Sequence, residues 1–409
     1  MCSVYGEGDN RDILPRANDL IALRDQQIDK TKQERKAIRD NYRQIFATNF
    51  LHSNSQSEIN KLLDNLGDYG DNTIRYFRLT KFIRIRGNGF YVDLEPSRHT
   101  EIDSLLESEF YKPKVFADRD EYLAYMSDDS RPKLPWQTRE KLSGIAEDIY
   151  TEINNLKATL GAEAAALDDT TAMTEGALIE YIDYLRLERK NLQEQDNHVK
   201  AQPIESISSY IEQLEGIFTA ENRPLKLEYL STMGLHSLND AEEIKPNYPV
   251  GDDNEPTSTA PGGMADIECY YSDFSMICEV TMLNGRDQWF NEGQPVMRHL
   301  REFEDNHSNS YCIFIAPSIH TDSAETFWIA NKLGYKGSQQ KIAPITINQF
   351  IAMLKTLRQM RELNMHFTNA HLRQLIDSIV SESYTTSNSD EWIMNTENIL
   401  SEWSTSLVS

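Results

Sequence analysis

The sequence predicts a multidomain α+β protein. An N-terminal helical and winged-helix region is followed by a helical linker and a C-terminal α/β domain with a mixed sheet flanked by helices. Three observations predict it. The chain has 409 residues, more than one core ordinarily serves. Residues 55–95 read as helix, turn, helix and β-hairpin. Residues 203–358 alternate short apolar runs with helical segments in the order α-ββ-α-β-α-β-α. The expected boundaries are 1–110 for the N-terminal region, with the winged helix at about 53–95, then 111–200 for the linker, 201–380 for the α/β domain and 381–409 for a peripheral tail.

Composition sets the class. Apolar residues at 39% and charged residues at 26% describe a globular chain. No run of about 18 apolar residues occurs, so no membrane-spanning helix is expected. The N-terminus MCSVYGEGDNRD is acidic and has no apolar stretch of the kind a secretory signal needs. Cys2, Cys269, Cys278 and Cys312 form no CxxC pair, which argues against a zinc site or a disulfide framework and fits a reducing, cytoplasmic setting.

The elements follow in order. Residues 15–50, free of Gly and Pro after Pro15 and rich in alternating charge, predict one long helix. Ser55 caps a short helix through Leu66, Gly67 and Gly70 break it, and Asp71 or Asn72 caps a second from Thr73 to Leu79. Phe82 to Arg86 alternates apolar with basic, Gly87-Asn88-Gly89 turns the chain, and Phe90 to Leu94 alternates back. Amphipathic helices are expected over Trp136–Leu160 and Ala172–Gln195, with a polar break at Asn197–Gln202 and little chemistry between 110 and 200. In the α/β domain, strands are expected at Asp266–Tyr271, Met276–Met282, Tyr311–Pro317 and Ile342–Ile347. The helices fall at Ile204–Ala220, Leu225–Gly234, Pro295–Phe303, Ala324–Leu333 and Asn348–Leu357. The Ser/Thr-rich stretch after Ser381 reads as weakly helical.

Charge is unevenly spread. The net charge is −24, which opposes nucleic-acid binding by the chain as a whole. Residues 1–90 nonetheless carry 15 Lys and Arg against 12 Asp and Glu, and residues 75–86, RYFRLTKFIRIR, hold five cations and no acid. On a winged helix, Arg75 and Arg78 would lie on the groove-facing helix and Arg84 and Arg86 on the outward face of the wing, with Lys81 between them. That predicts duplex DNA as partner. The competing reading is a small helix-and-hairpin domain for protein contacts.

The sharpest chemical signal is GGMADIECYYSDFSMICEVT at 262–281. Asp266 ends a glycine turn, and Glu279 lies thirteen residues on, near the end of the apolar run Ser275-Met276-Ile277-Cys278. As two strands of one hairpin, these segments bring both carboxylates to one end of a sheet, where with the Val280 carbonyl they suit Mg²⁺. A charge ending an apolar strand is hard to bury without a partner. Glu228, on the preceding helix, can reach the same ion directly or through water. Glu292 and His299 sit seven apart and would share a face of one continuous helix, but Pro295 is expected to start that helix and leave Glu292 in the loop before it. Such a set fits metal-assisted hydrolysis of phosphodiesters.

These residues carry a resemblance. Pro224-Leu225-Lys226-Leu227-Glu228, Gly262 to Ile267, Cys278-Glu279-Val280-Thr281, Asn291-Glu292-Gly293 and Arg298-His299 resemble the catalytic domain of AlwI-type restriction endonucleases, within the (D/E)xK nuclease superfamily, over roughly residues 205–358. The resemblance implies a type IIS endonuclease that hydrolyses DNA with Mg²⁺ at a fixed distance from an asymmetric site, some members cutting one strand. It implies metal binding by Asp266 and Glu279, with Glu228, Glu292 and His299 around them. It also implies a cognate methyltransferase and, for a double-strand cut, a second subunit or a homodimer on DNA. The chain departs from the superfamily at Thr281, where lysine is usual. Glu292 or His299 would then take up its work, the histidine by moving a proton near neutral pH. That departure and the acidic surface favour an alternative, a DNA-binding subunit or regulator with a silent nuclease fold. A helical scaffold without a DNA role is a third reading.

Overall fold

A computed structural model describes residues 37, 55–86, 91–108, 115–128, 134–164, 166–220, 222–238, 240–252 and 254–408. The chain divides into two compact units, Met1–Ile83 and Arg84–Ser409. The helix expected over 15–50 lies, Ala37 apart, outside the described residues.

In the first unit, α1 spans Gln56–Leu79 without interruption. The expected break at Gly67 and Gly70 is not there, so the two-helix half of the winged-helix expectation fails. Glycine in a helix interior costs about 1 kcal/mol against alanine but does not stop the helix as proline does. Thr73 also bonds back to the Tyr69 carbonyl at 2.7 Å rather than opening a new helix. Lys81, at φ +59°, ends the helical path in the left-handed region. The hairpin does form, with β1 at Ile83–Arg86 paired to β2 at Tyr91–Leu94. Its turn, 87–90, lies outside the described residues.

The second unit opens at Arg84, within β1, so it takes in the rest of that strand and β2, and it continues with α2 (His99–Glu107) and α3 (Arg119–Met126). Helices α4 (Arg139–Thr159) and α5 (Glu175–Ala201) start at Thr138 and Thr174, whose hydroxyls accept the Lys141 and Ala177 N–H groups. They bury a shared stripe of Leu142, Ile145, Ile149 and Ile153 against Leu178, Ile182 and Leu185. The polar break expected at Asn197 is absent: α5 runs to Ala201, and Pro203 closes it.

Next come α6 (Ile204–Glu215) and α7 (Arg223–Ser237), then a five-stranded sheet in the order β3-β4-β5-β6-β7. Its strands are β3 (Glu243–Pro246), β4 (Ile267–Tyr270), β5 (Ser275–Val280), β6 (Ser310–Ala316) and β7 (Ile342–Thr346). The first three pair antiparallel and the last three parallel, giving the mixed sheet the sequence predicts. Every residue of β6 is buried, as its unbroken apolar run requires of a strand covered on both faces. The edge strand β3 was not legible, since Ile244 is its one buried residue.

Between β5 and β6 lie the short α8 (Gly285–Gln288), a π-helical turn at Trp289–Gly293 and α9 (Gln294–Glu304). Then follow α10 (Thr321–Lys332), α11 (Ile347–Glu362, opened by a Thr346–Gln349 capping box), α12 (Asn369–Thr385) and α13 (Ser389–Val408). The last two overturn the expected peripheral tail. Trp392, Leu400, Trp403 and Leu407 of α13 join the same core as the sheet. Trp392 and Trp403 donate their ring N–H to the Ile379 and His371 carbonyls at 2.8 and 2.9 Å. The stripe 392-396-400-403-407 has helical period, thinned by serines and threonines on the other faces.

One helix contact is tight enough to test. At Gly234 of α7 an added Cβ would lie 2.6 Å from the ring of Phe350, itself 1% exposed. Gly234→Ala gains about 1 kcal/mol of helix propensity but must displace a buried ring at about 1–3 kcal/mol. A net loss of about 1 kcal/mol is expected, read as a lower urea midpoint.

Candidate active site

The expected residues meet where β4 begins and β5 ends. Asp266 directly precedes β4, and Glu279 and Val280 close β5. The β4–β5 register pairs Ile267 with Cys278, so one step further Asp266 faces Glu279. The contact is reciprocal. The Val280 N–H donates to Asp266 Oδ2 at 2.8 Å, and the Asp266 N–H hydrogen-bonds the Glu279 carboxylate. In an extended strand the N–H and C=O of one residue point the same way, so the Val280 carbonyl also turns toward Asp266.

Three more side chains close around this pair. Glu228, on α7 and 5% exposed, accepts the Ala260 N–H at 2.9 Å. Glu292 lies in the π-helical turn and takes a hydrogen bond from the Thr281 hydroxyl, whose oxygen accepts the Leu283 N–H at 3.1 Å. His299, on α9, places Nδ1 2.8 Å from Glu279 Oε1. Glu292 is therefore not in a loop, as Pro295 suggested. The helical path from Gly285 to Glu304 runs through Pro295, and the π turn just before it takes up the place of the missing N–H.

The electrostatics are those of crowded acids. Burial pushes the Asp266 carboxyl well up, and the charges of Glu279 and Glu292 push it further, against the Val280 N–H and His299. Burial likewise raises Glu279 well up, helped by Glu292 and Glu228 and opposed by the Asp266 N–H and by Arg298. Burial and then Asp266 raise Glu228 to about 8. Burial raises Glu292, against Thr281 and His299. Burial and then the neighbouring Arg298 lower His299, disfavouring its cationic form. Arg298 Nη2 stands 3.3 Å from His299 Nε2. A guanidinium only donates, so Nε2 accepts and Nδ1 carries the proton given to Glu279. Sequence reasoning gave Arg298 no role; its position beside His299 was the available signal.

Among the described residues, no group of three or more His, Cys, Asp and Glu is placed to hold a metal ion. The donors that do come together are two carboxylates and a carbonyl, an oxygen set that suits a hard divalent cation in kind. Burial first, and neighbouring acids second, disfavour the charged forms of Asp266 and Glu279, and such a cation would favour them.

The basic residues of 75–86 fare differently. Arg75 and Arg78 lie three apart on α1 and Arg86 on β1, but their side chains are outside the described residues. Lys81 is exposed. Arg84 does not face outward: its side chain is 10% exposed and pairs with Asp93 at 3.5 Å and Glu95 at 3.7 Å. The alternation of β1 predicts an outward Arg84, but the acids on and after β2 draw it in.

A largely buried ion network, joining Arg186, Arg189 and Glu152 of the region read as chemically poor to residues on either side of it, has no counterpart in the sequence expectations. Asp252 joins Arg98 at 2.8 Å and Arg189 at 3.0 Å, and accepts the Ser97 hydroxyl at 3.0 Å. Arg189 reaches Glu152 at 2.6 Å, and Arg186 pairs with Glu101. The partners are too far apart in the chain for spacing to pair them.

No helix among the described residues is long and apolar enough to cross a membrane. Cys269, Cys278 and Cys312 are buried free thiols. Among solved structures, the small subunit of the heterodimeric restriction endonuclease R.BspD6I is similar at 22% identity and a TM-score of 0.41, over 47% of this chain and 98% of that one. No curated protein matches. The sequence profile described as AlwI restriction endonuclease matches residues 4–353, and with that match over most of its length the chain belongs to the AlwI restriction endonuclease family.

Proposed function

We infer that this restriction endonuclease hydrolyses DNA phosphodiester bonds with Mg²⁺, at a fixed distance from an asymmetric site in the type IIS manner. The observation that carries the reading is the reciprocal seating of Asp266 and Glu279 on adjacent strands, with three further titratable side chains around them. Asp266, Glu279 and the Val280 carbonyl would hold the ion. Magnesium supplies Lewis acidity and counter-charge to the scissile phosphate when bound there. His299 fixes the Glu279 carboxylate through Nδ1. Thr281, a neutral hydroxyl, holds Glu292 facing the pair. Glu228 stands beside Asp266 with its proton retained near neutral pH in the absence of a cation. Duplex DNA is engaged through Arg75, Arg78, Lys81 and Arg86. Arg84 is left out of that set because it is spent on Asp93 and Glu95.

One carboxylate centre per chain serves one strand at a time. A double-strand cut therefore needs a second centre, from a homodimer on DNA or another subunit, and a methyltransferase would protect host sites. The test is supercoiled plasmid incubated with Mg²⁺ or with excess chelator. Nicked or linear product with ends at one distance from a repeated sequence is expected with Mg²⁺, and intact plasmid with chelator. Full cleavage in chelator would reject the metal, and a gel shift without cleavage would favour a silent fold.

A further inference from the structure

The geometry points to Arg298 as the residue that receives the scissile phosphate of the DNA strand, a role that rests on the nuclease reading above. The site brings four carboxylates together, and the residue beside Glu279 and Val280 on the strand side, Thr281, is neutral. A divalent cation brings two positive charges, and a phosphodiester adds a negative charge to a site whose burial already disfavours ionised carboxyls. Like charges repel more strongly in a partly desolvated site than in water, so a cation beside the carboxylates favours entry of the phosphate.

Arg298 is placed to be that cation. It follows the π turn that carries Glu292 by one turn of α9, adjoins His299, and its charge acts on Glu279 directly. Its side chain is 41% exposed and weakly held, at 4.0 Å from Glu302 and 3.3 Å from His299. It can therefore turn to an incoming phosphate without breaking a buried ion pair. Arg301, three residues on, shows the contrast: it is committed to Ser338, Tyr335 and Glu304 through four contacts of 2.6–2.8 Å. A guanidinium meets phosphate oxygens with two parallel N–H bonds, a geometry lysine lacks.

The experiment compares wild type, Arg298→Ala, Arg298→Lys and Arg358→Ala on plasmid with Mg²⁺. Arg358 is 36% exposed and paired i,i+4 with Glu362, so its variant removes the same charge from α11. Single-turnover rate, DNA affinity and melting temperature are measured. Arg298→Ala is expected to cut about 10²–10³-fold more slowly, with affinity changed less than about tenfold and an unchanged melting temperature. Arg298→Lys should fall between, added guanidinium ion should restore part of the alanine variant's rate, and Arg358→Ala should match wild type. An Arg298→Ala rate within twofold of wild type overturns the proposal, as does a loss that neither lysine nor guanidinium restores. A wild-type protein that leaves plasmid intact overturns the nuclease reading and this role with it.

Discussion

Asp266→Ala and Glu279→Ala are each expected to lower plasmid cleavage by about 10³-fold or more, as removal of single members of a catalytic unit does. DNA binding should stay near wild type, because neither substitution alters Arg75, Arg78, Lys81 or Arg86, the basic residues proposed to engage the duplex. Gel shift and single-turnover cleavage on one substrate check both halves. Cleavage at the wild-type rate in either variant would sink the mechanism. The same residues predict an opposite effect on stability. Both carboxyls are raised well above their usual range, first by burial and then by neighbouring acids. A carboxyl whose folded pKa is raised costs stability once the pH exceeds its unfolded value, because the fold disfavours the charge. With chelator present near neutral pH, Glu279→Gln should therefore melt above wild type by about 2–4 °C per kcal/mol relieved. Magnesium should raise the wild-type melting temperature and leave that of the variant nearly unmoved. A site that stabilises the fold when emptied of charge and stops cutting is the signature of function held at a cost to stability.

The second large effect lies in the ion network around Asp252. Asp252→Ala removes the carboxylate that Arg98 and Arg189 share, and those side chains are 9% and 4% exposed. Breaking a buried pair from one side costs about 3–5 kcal/mol because a charge is left without its partner. Arg98 keeps Glu101 at 3.6 Å and Arg189 keeps Glu152 at 2.6 Å, which places this variant near the lower figure. The sign of the pH dependence follows from the carboxyl. Burial alone would raise it, but Arg98 and Arg189 outweigh burial and pull it from 3.8 to about 2. A group with a depressed folded pKa contributes stability that is full above its unfolded value and lost as the pH falls through the folded one. Wild type should therefore lose about 2 kcal/mol between pH 4 and pH 2 that Asp252→Asn does not lose. Urea midpoints at pH 6, 4 and 2 check it, and parallel curves for the two proteins would show that Asp252 bears no such load.

Asp252 also shows where legibility stops. It lies between Gly251 and Asp253 in an acidic loop, and its partners Arg98 and Arg189 come from elements far away in the chain. Spacing carries no information about such a meeting. The strands β4 and β5 are the opposite case. A glycine turn, an apolar run and a carboxylate at each end are local facts, and strand pairing converts them into a facing pair. The helical path through Glu292 falls between. Proline correctly predicted a helix start, but a π turn let the chain stay helical before it. In α1 the two glycines were given too much weight: a helix 24 residues long can bear them.

The sequence by itself determined the mixed sheet, the flanking helices, the acidic residues that gather at the strand ends and the family to which they belong. These follow from periodicity and from motifs local in the chain. Only the tertiary structure decided that Arg84 turns inward, that the serine-rich C-terminus is a core helix, and that Arg298 and His299 stand in line with Glu279. Each of these depends on which distant charge or surface a side chain meets, and that is fixed by burial and by the desolvation of charge.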